Sequence, residues 1–561
     1  MMLFWAAFAV PALVGAQAAK PTDDCPILGP ALPSDFDPSN ATAIKDAISS
    51  FPSLIESLFE SGAVNKSGTS FMIDVWSTQT NASIYQYSHS AETLDPYLTA
   101  GVLDDETQLR VGSVSKLFTA YALLNTAGLK VFDHYVTKYI PELAGNTDPG
   151  TIKWEEVTVG ALAEQQGGTG GFPLSAISCY YTGTCSVQDF LSEMRDFKRP
   201  VIPVFQTAVY SDAGWGVLGL VLERLTNQSY AAALQSTLAQ PLELVSSGAT
   251  EPSAEGLNAL ALPRELTSWG MDNQISAPSG GVYSNTRDMR LMGLSILQSH
   301  FLSPAETREW MKPRSHTASL TSSVGAPWEI YRLSIPVSPA SNRTRVSDLY
   351  TKTGGNVAYA AIFGLSPDHG IGFSILVGGE TAVSERTPLR NLVGTEFVQA
   401  AEFAAFEHAQ KNYAGFFADP NNESSNLTIT VDEGKPGLGL PTFFVNGVDW
   451  RANVTQPALQ ASGDLFSIRL YPSGTEYSSS SAAGYGEGAQ AVIKLFNAVA
   501  GSATPQPRSA VEGREGLFDD GCTQWENVGF FTASDFDLEL VEGKLMSVLM
   551  RDSNVTMVRV E

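Results

Sequence analysis

The sequence is short of basic residues. Lysine and arginine total 34 against 59 aspartates and glutamates in 561 residues, a formal charge of −25 at pH 7. A field of that sign repels phosphate backbones and anionic bilayers, so neither nucleic acid nor a membrane surface is an expected partner. Long apolar runs are missing too. The run from Leu3 to Val14 falls short of the ~20 residues that span a bilayer, and no later stretch is longer. Cysteine and histidine are scarce, four and six residues, and no pair of them shows metal-ligand spacing. No metal and no cofactor are therefore expected. A Gly-x-Ser-x-Gly elbow, a His-Glu-x-x-His pair and a phosphate-binding loop are all absent, and those chemistries find no support. The histidines (His89, His134, His300, His316, His369 and His408) sit in no catalytic context and read as surface or packing residues.

What is present suits a folded chain. Hydrophobic residues make up 43% and charged residues only 17%, which fills a large core and excludes extensive disorder. The length suits two or three domains. Residues 1–16 read as a secretory signal peptide, cut after Ala16, although its first residues lack Lys or Arg. Export is consistent with nine Asn-x-Ser/Thr sequons, at Asn40, Asn65, Asn81, Asn227, Asn342, Asn422, Asn426, Asn453 and Asn554. It is also consistent with an even number of cysteines. Three pairings are possible; Cys179–Cys185 across a short loop is favoured, leaving Cys25–Cys522, with four free thiols as the alternative.

Past a lead at residues 17–39, residues 40–411 mix strands and helices, and residues 412–561 form a separate β-rich domain. Ser39-Asn40 is a candidate cap for a helix through Ile44, Ile48, Leu54 and Phe59. Ser70–Trp76 and Ser83–Tyr87 read as strands, and Leu109 to about Ile330 is mainly helical, with clear runs at Lys116–Leu124, Trp215–Leu225 and Met289–Leu297. Strands return at Asp348–Lys352, Ala358–Leu365 and Gly372–Val377, followed by one long helix from Leu389 to about His408. After Asn412 come short alternating stretches at Leu427–Val431, Leu465–Leu470, Ala491–Phe496, Phe536–Leu540 and Val555–Val560, the pattern of an antiparallel barrel or sandwich.

Three motifs carry chemistry. Ser113-Val114-Ser115-Lys116 opens an apolar helix, and residues three apart share a face, so the Lys116 amine falls beside the Ser113 hydroxyl. A serine hydroxyl is a poor nucleophile until a base takes its proton, and the helix start adds a field that favours an oxyanion. Tyr210-Ser211-Asp212 precedes a second apolar helix, and Lys352-Thr353-Gly354-Gly355 ends a strand. Each element alone is weak; the three in this order are not.

Together they resemble the serine β-lactamase and penicillin-binding protein superfamily, with its Ser-x-x-Lys, Tyr-x-Asn or Ser-Asp-Asn, and Lys-Thr-Gly signature. The likeness is to the class C branch, where a stretch similar to Gly280-Gly281-Val282-Tyr283-Ser284 is common. The resemblance implies an α+β fold, an antiparallel sheet flanked by helices with a helical lobe, and it suits a fungal secreted protein whose C-terminal β domain is an appendage. It implies acylation of Ser113, base work shared between Lys116 and Tyr210, and positive charge from Lys352 toward Tyr210 and an anionic or polar substrate group. The backbone N–H groups of Ser113 and Gly355 would form the oxyanion hole, ~3 kcal/mol per donor. Thr353, Gly354 and Asp212 would line the substrate site, the glycines letting the strand edge approach the substrate.

One departure matters. Asp212 stands where the superfamily has Asn, or, in the other register, Ala213 replaces the last Asn of Ser-Asp-Asn. An ionised Asp only accepts hydrogen bonds and favours the charged form of Lys116, which makes Tyr210 the expected principal base and β-lactam hydrolysis poor. The expected function is a secreted serine hydrolase acting on an ester, thioester, lactone or amide small molecule, with a place in fungal natural-product metabolism. The alternatives are an acyltransferase or cyclase using the same acyl-enzyme, or a binding protein that keeps the cleft.

Overall fold

The computed structural model describes residues 26–177, 186–264, 267, 269–271, 274–455, 467–479, 491–501, 528 and 535–560. The signal peptide and all four cysteines, with both pairings considered above, lie outside the described residues. The chain divides into two compact units. One spans Leu28–Pro339 and Val346–His408; the other joins Ala340–Arg345 to the chain from Ala409 onward.

The first unit is built on an eight-stranded antiparallel sheet. Its strands are β1 (Ser70–Ser77), β2 (Ala82–His89), β3 (Ser315–His316), β4 (Ser322–Val324), β5 (Glu329–Pro336), β6 (Thr344–Asn356), β7 (Tyr359–Ser366) and β8 (Ile371–Gly378). Their order is β2-β1-β8-β7-β6-β5-β4-β3, so the N-terminal hairpin adds to the far side of β8. Every residue of β1, β7 and β8 is buried, because both sheet faces are covered and neither can alternate with solvent. One face packs on α1 (Thr42–Glu60) through Ile44, Phe51 and Ile55, with Leu389, Val393 and Phe397 beside them. The other carries the helical lobe, which includes α2 (Ser115–Ala127), α3 (Asp212–Thr226) and α4 (Thr286–Leu297).

α1 starts two residues later than Asn40 suggested. Asp37 caps a single turn at Pro38–Asn40, and the α-helix begins at Thr42. The helix expected from Leu389 is instead α5 (Ala382–Val393), a widened π turn at Gly394–Val398, and α6 (Gln399–Asn412). β5 falls where a helical region was expected to end. Its Glu329-Ile330-Tyr331-Arg332 start follows Pro327 closely, and the run is too short for its period to show.

The second unit holds β9 (Gly415–Asp419), β10 (Asn422–Thr430), β11 (Leu438–Val445), β12 (Val448–Asp449), β13 (Ser467–Ser479), β14 (Ala491–Gly501), β15 (Asp535–Val541), β16 (Lys544–Met550) and β17 (Val555–Val560). The sheet order is β10-β9-β17-β16-β15-β14-β13-β11-β12. β10 also pairs with β11, so the sheet closes on itself as an antiparallel barrel with β12 as a short hairpin arm. Closure removes the open edges that would otherwise template pairing with other chains. Among the described residues no helix is long and apolar enough to cross a membrane.

Candidate active site

Ser113 sits in a single 3-10 turn, Gly112–Val114, that leads directly into α2. The turn is fixed from both sides. Ser115 Oγ donates to Gly112 O at 2.6 Å and accepts from Val282 N at 2.9 Å. Val111 N donates to Val282 O at 3.0 Å. The Gly280-Gly281-Val282-Tyr283-Ser284 stretch thus braces the serine turn, and Tyr283–Ser284 pairs as a short strand with Leu109–Arg110.

Backbone approach requires glycine at this turn. Gly112 has φ +51°, and a Cβ on it would fall 2.5 Å from Gly355 N. A Cβ on Gly354 would lie 1.9 Å from Val111 O and 3.1 Å from Ser113 N. Gly354 therefore makes room for the serine's own turn. At Gly355 a Cβ would meet Arg386 Nη1 at 2.6 Å. At Gly354 backbone atoms fill the space a side chain would need, whereas Gly355 is exposed and lines the cavity beside Ser113.

Lys116 is fully buried, one helical turn from Ser113. Its Nζ donates to Ser113 Oγ at 3.1 Å, Asp212 Oδ1 at 2.6 Å and Ser279 O at 2.8 Å. An ammonium has three N–H donors, and all three have acceptors. In that state Nζ holds no lone pair for a proton. The contact also settles the register: Asp212, not Ala213, faces Lys116, and Ala213 is buried inside α3. The cap of α3 is Ser211, whose Oγ accepts from Gly214 N at 2.9 Å while its own N–H donates to Gln165 Oε1 at 2.8 Å. That double anchorage fixes where Tyr210 leaves the helix.

Tyr210 lies between two cations. Its ring centroid is 4.7 Å from Lys116 Nζ and 5.3 Å from Lys352 Nζ. Desolvation opposes a phenolate, but the charges of Lys352 and Lys116 outweigh it and hold the phenol below its ordinary value. Lys352, on β6, is buried as well. Burial disfavours its charge, yet Glu329 and Tyr210 together raise it above the usual amine range.

Glu329 was not anticipated. At the start of β5 its carboxylate accepts from Lys352 Nζ at 2.5 Å, from Thr353 N at 3.0 Å and from Thr353 Oγ1 at 2.8 Å. Burial pushes this carboxyl up, and Lys352 and the Thr353 donors overcome that and hold it below the usual range. Arg386 on α5, also unanticipated, donates to the Gly354 carbonyl. A neighbouring glutamate and arginine carry no motif spacing, so only the fold reveals them.

Ser113, Asp212, Gly355 and Asn356 line one cavity of about 280 Å³, whose walls include Phe172, Ile177 and Met271. A larger cavity of about 650 Å³ lies in the β barrel, beside Asp432 and Arg469. It holds none of these groups, and its arginine already donates to Asp432 and to the Pro436 and Gly437 carbonyls. The histidines stay outside the cavity. His369, buried, bonds Ser366 Oγ at 2.7 Å and Glu402 Oε2 at 2.8 Å, a sealed packing network at the β7–β8 turn. Among the described residues no cluster of three or more His, Cys, Asp or Glu is placed to hold a metal ion.

A family model described as Beta-lactamase matches residues 93–393. The chain belongs to the β-lactamase family. Its fold is the β-lactamase/transpeptidase-like one, with a separate C-terminal barrel that matches a "Beta-lactamase-like-like, C-terminal domain" over residues 405–561. A β-lactamase-like protein of Arthroderma benhamiae is 26% identical over 500 residues, 81% of each chain. The probable hydrolase M10 of a Phoma species is 25% identical over 413 residues, 68% of this chain and 66% of that one. A class C β-lactamase from Rhodobacter sphaeroides aligns with a TM-score of 0.48 and 21% identity, covering 64% of this chain and all of that one. The family and the hydrolase-named relatives support a serine-hydrolase type of function.

Proposed function

We propose that this β-lactamase-family chain is a serine hydrolase that forms an acyl-enzyme at Ser113, with Tyr210 as the proton acceptor. The Tyr210 phenolate takes the Ser113 hydroxyl proton as Oγ bonds to the acyl carbon. The resulting oxyanion faces the Ser113 and Gly355 N–H groups. As the bond to the leaving group breaks, Tyr210 returns the proton to it. Water then attacks the ester, gives its proton to Tyr210, and Ser113 recovers it as the acid departs. Lys116 and Lys352 stay charged throughout, each beside a carboxylate, and hold the phenolate between them.

The observation that carries this reading is the Tyr210 ring between two paired ammonium groups, one of which also donates to Ser113, while every Lys116 N–H already has an acceptor. Intact-mass spectrometry after a fluorophosphonate tests it. One adduct is expected on the parent and none on Ser113→Ala; an unmodified parent would contradict it. Product analysis with added alcohols then separates hydrolysis from acyl transfer.

The protein is further read as an exported glycoprotein. Seven of the nine sequon asparagines are exposed, and Asn422 and Asn426 are partly exposed, so none is sealed from a glycosylating enzyme. Secretion from a fungal host followed by a mass loss on deglycosylation is the expected result. An intracellular, unmodified protein would refute it.

A further inference from the structure

A cation, a backbone N–H and a hydroxyl that converge on one point make an anion site. Lys352 Nζ, Thr353 N and Thr353 Oγ1 do so beside Tyr210, and the point is already taken by the carboxylate of Glu329. Because Glu329 is part of the chain, a substrate anion that took its place would pair Lys352 but strip the Glu329 carboxylate of these three donors, a costly exchange.

A second buried lysine is paired in the same way, at the cavity itself. Lys116, the second buried cation, is paired with Asp212, which itself lines the cavity with Ser113. Arg386 donates to the Gly354 carbonyl. The cavity walls supply Phe172, Ala176, Ile177 and Met271 as apolar side chains, beside Arg110 and Asn356.

We infer that Glu329 acts as a built-in occupant of the anion corner and makes the Ser113 site selective for acyl donors whose acyl half is apolar and carries no carboxylate. The inference rests on the acyl-enzyme reading of Ser113. It makes Glu329 a specificity and positioning residue: it touches no reacting atom and acts through Lys352 and Thr353. An ester or lactone with an uncharged acyl chain is accepted. One that presents a carboxylate next to the scissile bond meets Asp212 in the cavity, while Lys352 is already paired with Glu329 and the Arg110 guanidinium in the cavity wall donates to the Gly281 and Met271 carbonyls.

Two boronic acids that differ by one carboxylate test this, scored by protection of Ser113 from a fluorophosphonate. Phenylboronic acid is expected to protect the parent at a concentration at least about tenfold below that needed for 3-carboxyphenylboronic acid. In Glu329→Gln the carboxylated probe gains, and the ratio falls to within about threefold. A merely structural role for Glu329 would weaken both probes alike and leave the ratio unchanged.

Equal protection of the parent by both probes, or preference for the carboxylated one through Arg386, overturns the inference and leaves the acyl-enzyme reading standing. So does a ratio unchanged in Glu329→Gln. If no Ser113 adduct forms at all, the acyl-enzyme reading fails and this inference with it. Should Glu329→Gln not fold, Glu329→Ala takes its place with the same reading of the ratio, and equal protection of the parent overturns the inference without either variant.

Discussion

Substituting Gly354 by alanine places a methyl carbon 1.9 Å from Val111 O and 3.1 Å from Ser113 N. Ordinary carbon–oxygen contact begins near 3.2 Å, so about 1.3 Å must be recovered. Neither side yields cheaply. Gly354 is held in β6 opposite Ala361, and Val111 is bonded to Val282 O. Overpacking of this kind costs ~1–3 kcal/mol, and a misplacement of ~1 Å at a nucleophile costs about 100-fold in rate. The G354A protein is therefore expected to react with the fluorophosphonate about 100-fold more slowly and to melt a few degrees lower. Gly394 is the control: no atom lies within 4 Å of a Cβ there, it sits inside a helical run, and G394A should match the parent or exceed its stability. The assay is the labelling rate of Ser113 in both variants, paired with thermal unfolding. Retention of the parent's rate and melting point by G354A would refute the claim that β6 positions the serine turn.

Three further outcomes follow from the same contacts. Lys352 lowers the Tyr210 phenol, so Lys352→Met should move the acidic limb of the pH–rate profile upward, with less rate at neutral pH; a limb that stays in place would exclude Lys352 from this role. Asp74 is buried beside Arg290, and burial pushes its carboxyl up to about 6. A raised carboxyl binds its proton more tightly in the folded state, so this group costs stability as pH rises from about 4 to 6. The stability of Asp74→Asn relative to the parent should therefore improve by ~2–3 kcal/mol over that window, followed by denaturant titration; no relative change would contradict it. Ser366, beside His369 and Glu402, is buried, so Ser113→Ala should remove all fluorophosphonate labelling; an adduct mapped to Ser366 would show that this network is open to reagents.

The four residues of the candidate site were legible because spacing encodes them. Ser113 and Lys116 share a helix face whatever the tertiary fold, and Tyr210 and Lys352 stand in motifs whose order survives without coordinates. The Asp212 departure was legible for the same reason, and its contact with Lys116 followed. Strands such as β1, β7 and β8 were visible as compact apolar runs. β5 was not, because its eight residues follow Pro327 closely and end on Pro336, and only Ile330 and Ile335 are buried. Glu329 was hidden with it: a carboxylate acquires a role only when another strand brings Lys352 and Thr353 to it. The crowding of Gly354 by Val111 was not legible, since a glycine in a sequence does not say which atoms crowd it. The pairings of Cys25, Cys179, Cys185 and Cys522 lie outside the described residues.

The decisive experiment for a phenolate base is the rate of Ser113 acylation in Tyr210→Phe, which keeps the ring between Lys116 and Lys352 and removes only the hydroxyl. A phenolate base predicts a loss of about 100- to 10,000-fold with the fold and the Ser113→Ala baseline intact. A loss of less than about threefold would mean that another group, Lys116 first among them, accepts the serine proton, and Tyr210 would not be the base.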